Sequence, residues 1–323
     1  MRYFTSSFVI LLVGLIGSYF LGGWEGVYIA ALLVVLEISL SFDNAVVNAK
    51  TLSTMEPIWQ KRFIIFGMPI AVFGMRLLFP LAIVSIVTGM GVFETLHVAM
   101  DEPHRYEAIL KSTETTIFSF GGAFLLMVFL DFFFEEREIT WFKLLEDSKM
   151  VKKFSGVGNI ELIIAILVGI VLGHVTGDFG VVLAFMYGVL LHSLLGMLDH
   201  FLSSDTIKSG IAGFIYLEIL DASFSFDGVI GAFALSSNIF IIMIGLGVGA
   251  MFVRSITLYF VEHKTLSEFQ YLEHGAHYAI GILAVIMLLK ITMEIGEAVT
   301  GTIGIALIAA AFLHSLIENK NRG

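Results

Sequence analysis

Long runs of apolar residues, separated by short polar segments, extend along almost the whole of this chain. A helix needs about 20 predominantly apolar residues to cross the hydrocarbon layer of a bilayer. By this measure the pattern predicts ten spans, at residues 5–22, 27–49, 63–90, 115–134, 158–174, 179–197, 209–235, 238–260, 275–295 and 298–317. We therefore expect an all-α fold, a polytopic bundle of transmembrane helices.

The composition agrees with a protein that resides in a lipid bilayer. Hydrophobic residues make up 58% of the 323 positions and charged residues only 14%, whereas soluble domains contain about 25% charged residues. The chain has no cysteine, which excludes disulfides, iron–sulfur clusters and thiolate metal sites. Its net charge of −10 is unlike that of a nucleic-acid-binding protein. We expect lipid as a partner, no nucleic acid and no prosthetic group, and the oligomeric state stays open.

Basic residues are distributed unevenly between the two sides of the predicted membrane. With ten spans, almost all lysines and arginines of the loops fall on one side, and the other side receives only Arg105 and Lys111. The positive-inside rule places the richer side, together with both termini, in the cytoplasm. The polar connection 135–157 is then a cytoplasmic linker.

The chain contains the same acidic motif twice, each time within an apolar stretch. Residues 36–44 read LEISLSFDN and residues 220–228 read LDASFSFDG, so that an acid is followed by two serines and then by Phe-Asp. In the span after each motif an arginine, Arg76 or Arg254, stands nine residues after a glycine. These correspondences indicate an internal duplication.

The duplication divides the predicted spans into two groups of five. We predict a first repeat at 1–174, which includes the linker 135–157, and a second repeat at 175–323. Because five is an odd number, the second repeat enters the membrane in the opposite orientation. Inverted repeats of this kind are typical of secondary transporters, whose substrate sites lie near the middle of the membrane.

The two motifs bring carboxylates and an amide into the apolar spans, namely Glu37, Asp43, Asn44, Asp221 and Asp227. A charged side chain at the centre of a span costs about 3 kcal/mol or more, so such residues are retained mainly for function. Asn44 and Gly228 directly follow the two Phe-Asp pairs, and we expect local unwinding there to bring the acids to one point. Oxygen ligands suit hard divalent ions. The motifs therefore predict a site for a transported hard divalent cation such as Mn²⁺, Ca²⁺ or Mg²⁺.

Other polar residues near the motifs are interpreted as supporting this site: Ser39, Ser41, Ser223, Ser225, Arg76, Arg254 and Glu218. The hydroxyls add oxygen atoms. The arginines neutralise the carboxylates when no cation is bound, or change partners between states. Glu218, about one turn before the second motif, is a candidate gate or proton carrier. Because clustered carboxylates repel one another, protons can occupy the empty site, and this predicts metal/proton antiport.

A weaker alignment concerns a later span of each repeat. Asp131 in the first repeat aligns loosely with Lys290 in the second. Intramembrane charges usually pair with one another. We therefore predict a structural charge pair between these two residues.

The motifs resemble those of the TerC family of membrane proteins. The resemblance rests on the two acidic motifs, on the arginines that follow them and on Gly121-Gly122-Ala123-Phe124-Leu125, and it covers about residues 27–295. It implies an association with tellurium resistance, export of manganese and other divalent cations, and a bacterial inner membrane. It also implies that the paired acidic motifs carry the metal site. Gly228 departs from the small polar residue usual in the family after the second Asp.

Two other classes of function remain open. An intramembrane aspartyl protease also uses two aspartates on separate spans, but its dyad needs only two carboxylates that share a proton, and its Gly-x-Gly-Asp signature is absent. A membrane scaffold of a stress-resistance (tellurium) complex would use the acids only to stabilise the fold. We expect a transporter rather than an enzyme, because two further acids, Glu37 and Asp221, would have no role in a protease.

Overall fold

The computed structural model describes residues 3–135, 139–155, 159–202, 210–233, 235–236, 238–263 and 268–322. These residues are almost entirely helical and contain no strand. The helices are α1 Thr5–Leu40, α2 Phe42–Thr54, α3 Pro57–Pro69, a π-helix Ile70–Leu78, α4 Phe79–Thr88, α5 Val92–Asp101, α6 Pro103–Ser112, α7 Glu114–Phe134, α8 Lys143–Glu146, α9 Lys149–Ser155, α10 Ile160–Thr176, α11 Phe179–Leu202, α12 Ile211–Phe233, α13 Ile239–Glu262, α14 Leu272–Lys290 and α15 Glu297–Arg322.

Several of the helices are long and apolar enough to cross a membrane. Within the described ranges six pass this test: all of α1, α7, α13 and α14, and the parts Phe179–Met197 of α11 and Thr302–Lys320 of α15. A seventh candidate is the bent pair Pro57–Gly67 and Val72–Ile86, whose axes differ by 44°. The prediction of an all-helical membrane protein with several spans is therefore confirmed.

The chain forms two compact units, each assembled from separate stretches of sequence. Unit 1 consists of Met1–Glu114 and Ser209–Glu262, and unit 2 consists of Thr115–Lys208 and His263–Gly323. Both acidic motifs and both arginines of the duplication belong to unit 1. Each unit takes residues from both predicted repeats.

Helix α1 reverses its direction at Gly22 and Gly23. Gly23 has φ +60°, a conformation that favours glycine because it has no Cβ. A Cβ added to Gly26 would lie only 2.5 Å from the carbonyl oxygen of Ser18, so the two sides of the turn are in contact. The reversal coincides with the predicted boundary between the spans 5–22 and 27–49. Both segments of α1 therefore pack on the same neighbour, α13.

Glycines on α13 allow this close packing. A Cβ at Gly245 would lie 2.5 Å from Cβ of Leu33, and a Cβ at Gly249 would lie 2.5 Å from Cβ of Glu37. Small residues let helix backbones approach closely, which is how helices associate where no hydrophobic effect drives them together. The glycine face of α13 thus holds the first acidic motif against the centre of unit 1.

The predicted unwinding after each Phe-Asp pair needs correction. In the first motif the helix breaks at Ser41 (φ −105°, ψ 16°), so Asn44 lies inside the first turns of α2. In the second motif α12 continues through Gly228 to Phe233, and the expected break is wrong. Tertiary packing supplies most helical stability in proteins, so one glycine does not end a helix that is packed along its length.

In unit 2, α7 is largely buried against its neighbours. A Cβ at Gly122 would lie 3.0 Å from the side chain of Leu288 on α14. The predicted pair of Asp131 with Lys290 does not form: Asp131 pairs with His192 at 3.3 Å, and the ammonium of Lys290 lies 5.3 Å from the ring centroid of Phe118. The loose alignment of the repeats was not sufficient to identify this contact.

Part of the predicted linker 135–157 is fixed to the end of unit 2. The carboxylate of Glu146 accepts hydrogen bonds from the backbone N–H of Trp141 and of Phe142, each at 3.0 Å, and from the hydroxyl of Tyr278 at 2.9 Å. The indole N–H of Trp141 donates to Nδ1 of His314 at 2.9 Å. The described part of the linker is therefore ordered by specific polar contacts.

Candidate functional site

A small cavity inside unit 1 collects most of the charged residues that the duplication singled out. About 30 Å³ of it is available to the centres of water molecules, more than the ~10–15 Å³ that a single water needs. We call it the charged cavity. It is lined by Glu37, Ser41, Asn48, Phe63, Gly67, Arg76, Glu218, Asp221, Ala250, Val253, Arg254 and Thr257.

A buried ion pair closes one side of the charged cavity. Nη2 of Arg76 lies 2.5 Å from Oε1 of Glu37, and each side chain is only 2% exposed. The hydroxyl of Ser41 donates to the same Oε1 at 2.8 Å. Charge-assisted hydrogen bonds of this type are about twice as strong as neutral ones. The break at Ser41 thus places a hydroxyl where it helps to hold the carboxylate of Glu37.

Arg76 reaches Glu37 from a π-helix. The segment Ile70–Leu78 starts directly after Pro69, which has no N–H to donate to the preceding turn. π-Helical turns are rare and often occur at functional sites. This local widening of the helix carries the only cation that pairs with Glu37 among the described residues.

The two acidic motifs contact each other directly. Nδ2 of Asn44 donates to Oδ1 of Asp221 at 2.5 Å, which joins α2 to α12. Oδ1 of Asn44 is buried without a hydrogen-bond partner in the described structure, and so is Oδ1 of Asn48, one helical turn later. Two amide oxygens are therefore available to an additional ligand near the carboxylates.

The aspartates of the two Phe-Asp pairs are placed differently from the expectation. Asp43 is buried (5% exposed), and its Oδ1 accepts the backbone N–H of Asn44 at 2.9 Å, but the residue does not line the charged cavity. Asp227 belongs to α12, and its side chain lies outside the described residues. The structure thus brings together Glu37 and Asp221, whereas the meeting of all four acids stays a prediction.

The predicted serines divide into two groups. Ser41 lines the charged cavity and donates to Glu37. Ser39 donates to the carbonyl of Val35 at 2.8 Å and Ser223 donates to the carbonyl of Ile219 at 2.9 Å, so both bond within their own helices. The side chain of Ser225 lies outside the described residues.

Arg254 and Glu218 face each other near Gly67. The guanidinium carbon of Arg254 lies 4.4 Å from the ring centroid of Phe63. A Cβ at Gly67 would lie 2.7 Å from Nη2 of Arg254 and 2.8 Å from Oε1 of Glu218. Nε and Nη2 of Arg254 and Oε1 of Glu218 are buried, and none of them has a hydrogen-bond partner within the described ranges.

The lining therefore carries three carboxylates, Glu37, Glu218 and Asp221, against two guanidinium groups. In this arrangement the described residues contain no group of three or more His, Cys, Asp or Glu side chains placed around a single metal position. The arginines stand where cations would be needed to neutralise the acids. The arrangement can accept an external cation only if a side chain moves.

Sequence reasoning missed two polar residues of the lining. Asn48 follows Asn44 by four residues, a spacing that puts both side chains on one face of a helix, and this signal was available. Thr257 follows Arg254 by three residues, and its hydroxyl donates to the carbonyl of Val253 at 3.0 Å. No pattern in the sequence distinguished Thr257 from the other hydroxyl residues of the spans.

The fold and the charged cavity define a helical membrane protein with a buried polar site built from a duplicated acidic motif. The chain belongs to the family described as protein of unknown function (DUF475), whose model matches residues 42–322. The match includes Asp43 and all of the second motif and begins five residues after Glu37. No curated protein and no solved structure matches the chain.

Proposed function

We propose that the protein is a membrane transporter that exports a divalent metal cation, with Mn²⁺ the favoured substrate, in exchange for protons. The observation that carries the proposal is the charged cavity, where Glu37, Glu218 and Asp221 meet inside an apolar helical unit. Intramembrane acids are costly and typically mark ion pathways. Three of them around one cavity exceed what helix packing requires.

The ligand chemistry of the cavity favours a hard cation. The oxygen ligands are the carboxylates, the hydroxyl of Ser41 and the amide oxygens of Asn48 in the lining and of Asn44 near it, and neither amide oxygen has a partner among the described residues. Mn²⁺, Ca²⁺ and Mg²⁺ prefer such donors, whereas soft ions prefer sulfur. In the cation-free state the guanidinium groups of Arg76 and Arg254 supply the positive charge that a transported ion would supply when bound.

The wider architecture extends the proposal. We propose ten spans arranged as two inverted repeats, a relation to the TerC family, a bacterial inner membrane and cytoplasmic termini. What supports this is the repeated motif, the loop charge bias and the several long apolar helices of the structure. A site between duplicated segments is the usual plan of secondary transporters.

A membrane scaffold is the second candidate. The observation in its favour is the pair of Arg76 with Glu37, which satisfies the first carboxylate without any external ion. In that case the charged residues would only hold helices together. The two candidates differ in whether loss of a carboxylate abolishes transport or only lowers stability.

The test uses purified full-length protein in liposomes that contain a Mn²⁺-sensitive fluorophore, with a pH gradient across the membrane. The proposal predicts Mn²⁺ flux with the wild type and loss of most flux with Asp221→Asn. Asp101→Asn changes an exposed acid that does not line the cavity, and this variant should transport normally. A scaffold would give no flux with any variant. Equal flux for the wild type and Asp221→Asn would show that Asp221 is not needed for transport.

A further inference from the structure

Arg254 is a partly buried cation that forms no ion pair with any residue the structure describes. Its guanidinium lines the charged cavity, and two of its nitrogens are buried without a hydrogen bond to any described residue. Glu218 and Asp221 act on it electrostatically across the cavity, but no ion pair joins Arg254 to a described acid. A buried charge in this condition is expensive unless something compensates it.

Arg76 shows what a structural arginine looks like in the same cavity. It occupies the equivalent place in the duplication, yet it makes a direct bond of 2.5 Å to Glu37. Removing Arg76 from its place would leave a buried carboxylate unpaired, which is strongly unfavourable. Nε and Nη2 of Arg254 make no hydrogen bond to the described residues, so none is broken there when the side chain moves. Of the two guanidinium groups, Arg254 is therefore the displaceable one.

We propose that Arg254 is an internal competitor of the transported cation: the arriving ion takes the carboxylates of Glu218 and Asp221 and displaces the guanidinium from the cavity. This inference rests on the proposed transport function and adds a determinant of specificity to it. The bound arginine and the bound metal are then alternative states of one site.

The charge of the competitor selects for divalent ions. When a monovalent ion replaces a guanidinium, the charge of the cavity is unchanged, so no electrostatic energy is gained and the contact with Phe63 is lost. When a divalent ion replaces it, the three carboxylates of the lining receive one additional positive charge. Charges interact more strongly in the protein interior than in water, so the additional positive charge increases the attraction to the carboxylates. Arg254 therefore discriminates against Na⁺ and K⁺ without any contact to them.

Phe63 and Gly67 form the place where the competitor rests. The ring of Phe63 holds the guanidinium by a cation–π contact at 4.4 Å, which is worth more when the cation is desolvated. Gly67 has no side chain, so the ends of Arg254 and Glu218 can occupy the space beside it. A Cβ at this position would lie less than 3.0 Å from both. These two residues hold Arg254 near the acids without fixing it by hydrogen bonds.

The test measures the dissociation constant of Mn²⁺ for purified full-length protein in detergent, with the free-ion signal in electron paramagnetic resonance as readout. Arg254→Gln removes the competitor and should bind Mn²⁺ roughly ten- to a hundredfold more tightly than the wild type. Arg254→Lys keeps the charge and should stay close to the wild type. Arg62→Gln is the matched control, because Arg62 also makes a 4.4 Å contact, with the ring of Trp59, but is exposed and does not line the cavity.

Two additional measurements sharpen the test. Na⁺ should compete with Mn²⁺ in Arg254→Gln and should not compete in the wild type. Phe63→Leu weakens the resting place while it keeps the charge, and should increase the affinity a few-fold. If Arg254→Gln does not fold, as judged by size-exclusion chromatography, the Phe63→Leu variant decides the question by the same readout.

The outcomes separate this inference from the proposed function. If the wild type binds Mn²⁺ and Arg254→Gln binds it equally or more weakly, the competitor role is wrong and the transport proposal stands. If neither the wild type nor any variant binds Mn²⁺, the competitor role and the transport proposal are both wrong. Tighter binding by Arg254→Gln together with unchanged binding by Arg62→Gln supports the competitor role.

Discussion

The two sides of the charged cavity are related by the duplication but differ in structure, and Glu218 on the second side has no acidic counterpart in the first repeat. On the first side, the carboxylate of Glu37 forms an ion pair with Arg76 and accepts a hydrogen bond from Ser41. On the second side, Glu218 and Arg254 lie near each other with buried polar atoms that have no described partner. The first repeat thus contributes a direct ion pair, whereas the second repeat contributes an arginine that forms none with the described residues.

The difference has a local cause in the backbone. The first side is built on a helix break at Ser41 and on the π-helix Ile70–Leu78, and these irregularities bring the charged partners together. On the second side α12 and α13 are continuous through their charged residues. A regular helix pair holds Arg254 and Glu218 at a distance, whereas irregular backbone closes the gap between Arg76 and Glu37.

The largest expected effect on stability comes from breaking the ion pair between Arg76 and Glu37. Arg76→Met leaves Glu37 buried without its cation and should lower the free energy of unfolding by about 3–5 kcal/mol. Arg254→Met should lower it much less, because that guanidinium makes no ion pair with the described residues. Thermal unfolding of both variants in the same detergent checks the comparison. Equal losses of stability would mean that the two sides do not differ as described.

A double variant tests the same ion pair from the other direction. Glu37→Gln combined with Arg76→Met removes both charges, and buried pairs replaced as a unit often cost little. The double variant should therefore recover most of the stability that Arg76→Met loses. A double variant as unstable as the sum of both single variants would show that no direct coupling exists between the residues.

The next effect concerns the contact between the two motifs. Asn44→Ala removes the bond to the carboxylate of Asp221 and should cost about 1.5–3 kcal/mol, the usual range for a hydrogen bond to a charged group. Ser223→Ala, in the same helix as Asp221, removes only a bond within that helix and should cost less than about 0.5 kcal/mol. Chemical denaturation of the two variants measures the difference. Similar values would indicate that the amide does not join the motifs.

Much of this arrangement could be predicted from the residues alone. The repeated acids and the intramembrane arginines indicated Glu37, Asp221, Arg76 and Arg254 as members of one site, and all four line the charged cavity. The apolar runs likewise indicated a helical membrane protein, and the boundary after residue 22 lies at the turn of α1.

The remaining features depend on tertiary contacts that no local pattern encodes. Ser41 is not a strong helix breaker, and nothing in residues 70–78 distinguishes a π-helix from an α-helix. Gly228 looked like a break and is helical, because packing outweighs the intrinsic preference of one residue. The inequality of the two sides follows from these backbone details, so a symmetric site was the natural expectation.

A smaller effect is expected where α13 approaches the first motif. Gly249→Ala places a Cβ 2.5 Å from Cβ of Glu37, and such overpacking costs about 1–3 kcal/mol. Gly228→Ala places a Cβ 3.4 Å from Oε2 of Glu37, an ordinary contact, and should be neutral or stabilising by about 0.5–1 kcal/mol because alanine favours a helix. Thermal unfolding distinguishes the two changes. A neutral Gly249→Ala would contradict the close approach of α13 to Glu37.

The smallest effect distinguishes the serines of the first motif. Ser41→Ala removes a hydrogen bond to Glu37 and should cost about 0.5–1.5 kcal/mol. Ser39→Ala removes only a bond to the carbonyl of Val35 on its own helix and should have almost no effect. Side-by-side denaturation curves show the order. A larger loss for Ser39→Ala would assign the supporting role to the wrong hydroxyl.

We propose that the carboxylates of the charged cavity hold a divalent cation during transport. The most direct measurement is anomalous X-ray diffraction from crystals of the full-length protein grown with Mn²⁺. We expect one manganese peak in the cavity, in contact with Asp221 and Glu218, with the guanidinium of Arg254 moved away. A manganese peak elsewhere, or Arg254 still over Phe63 beside an occupied cavity, would contradict it.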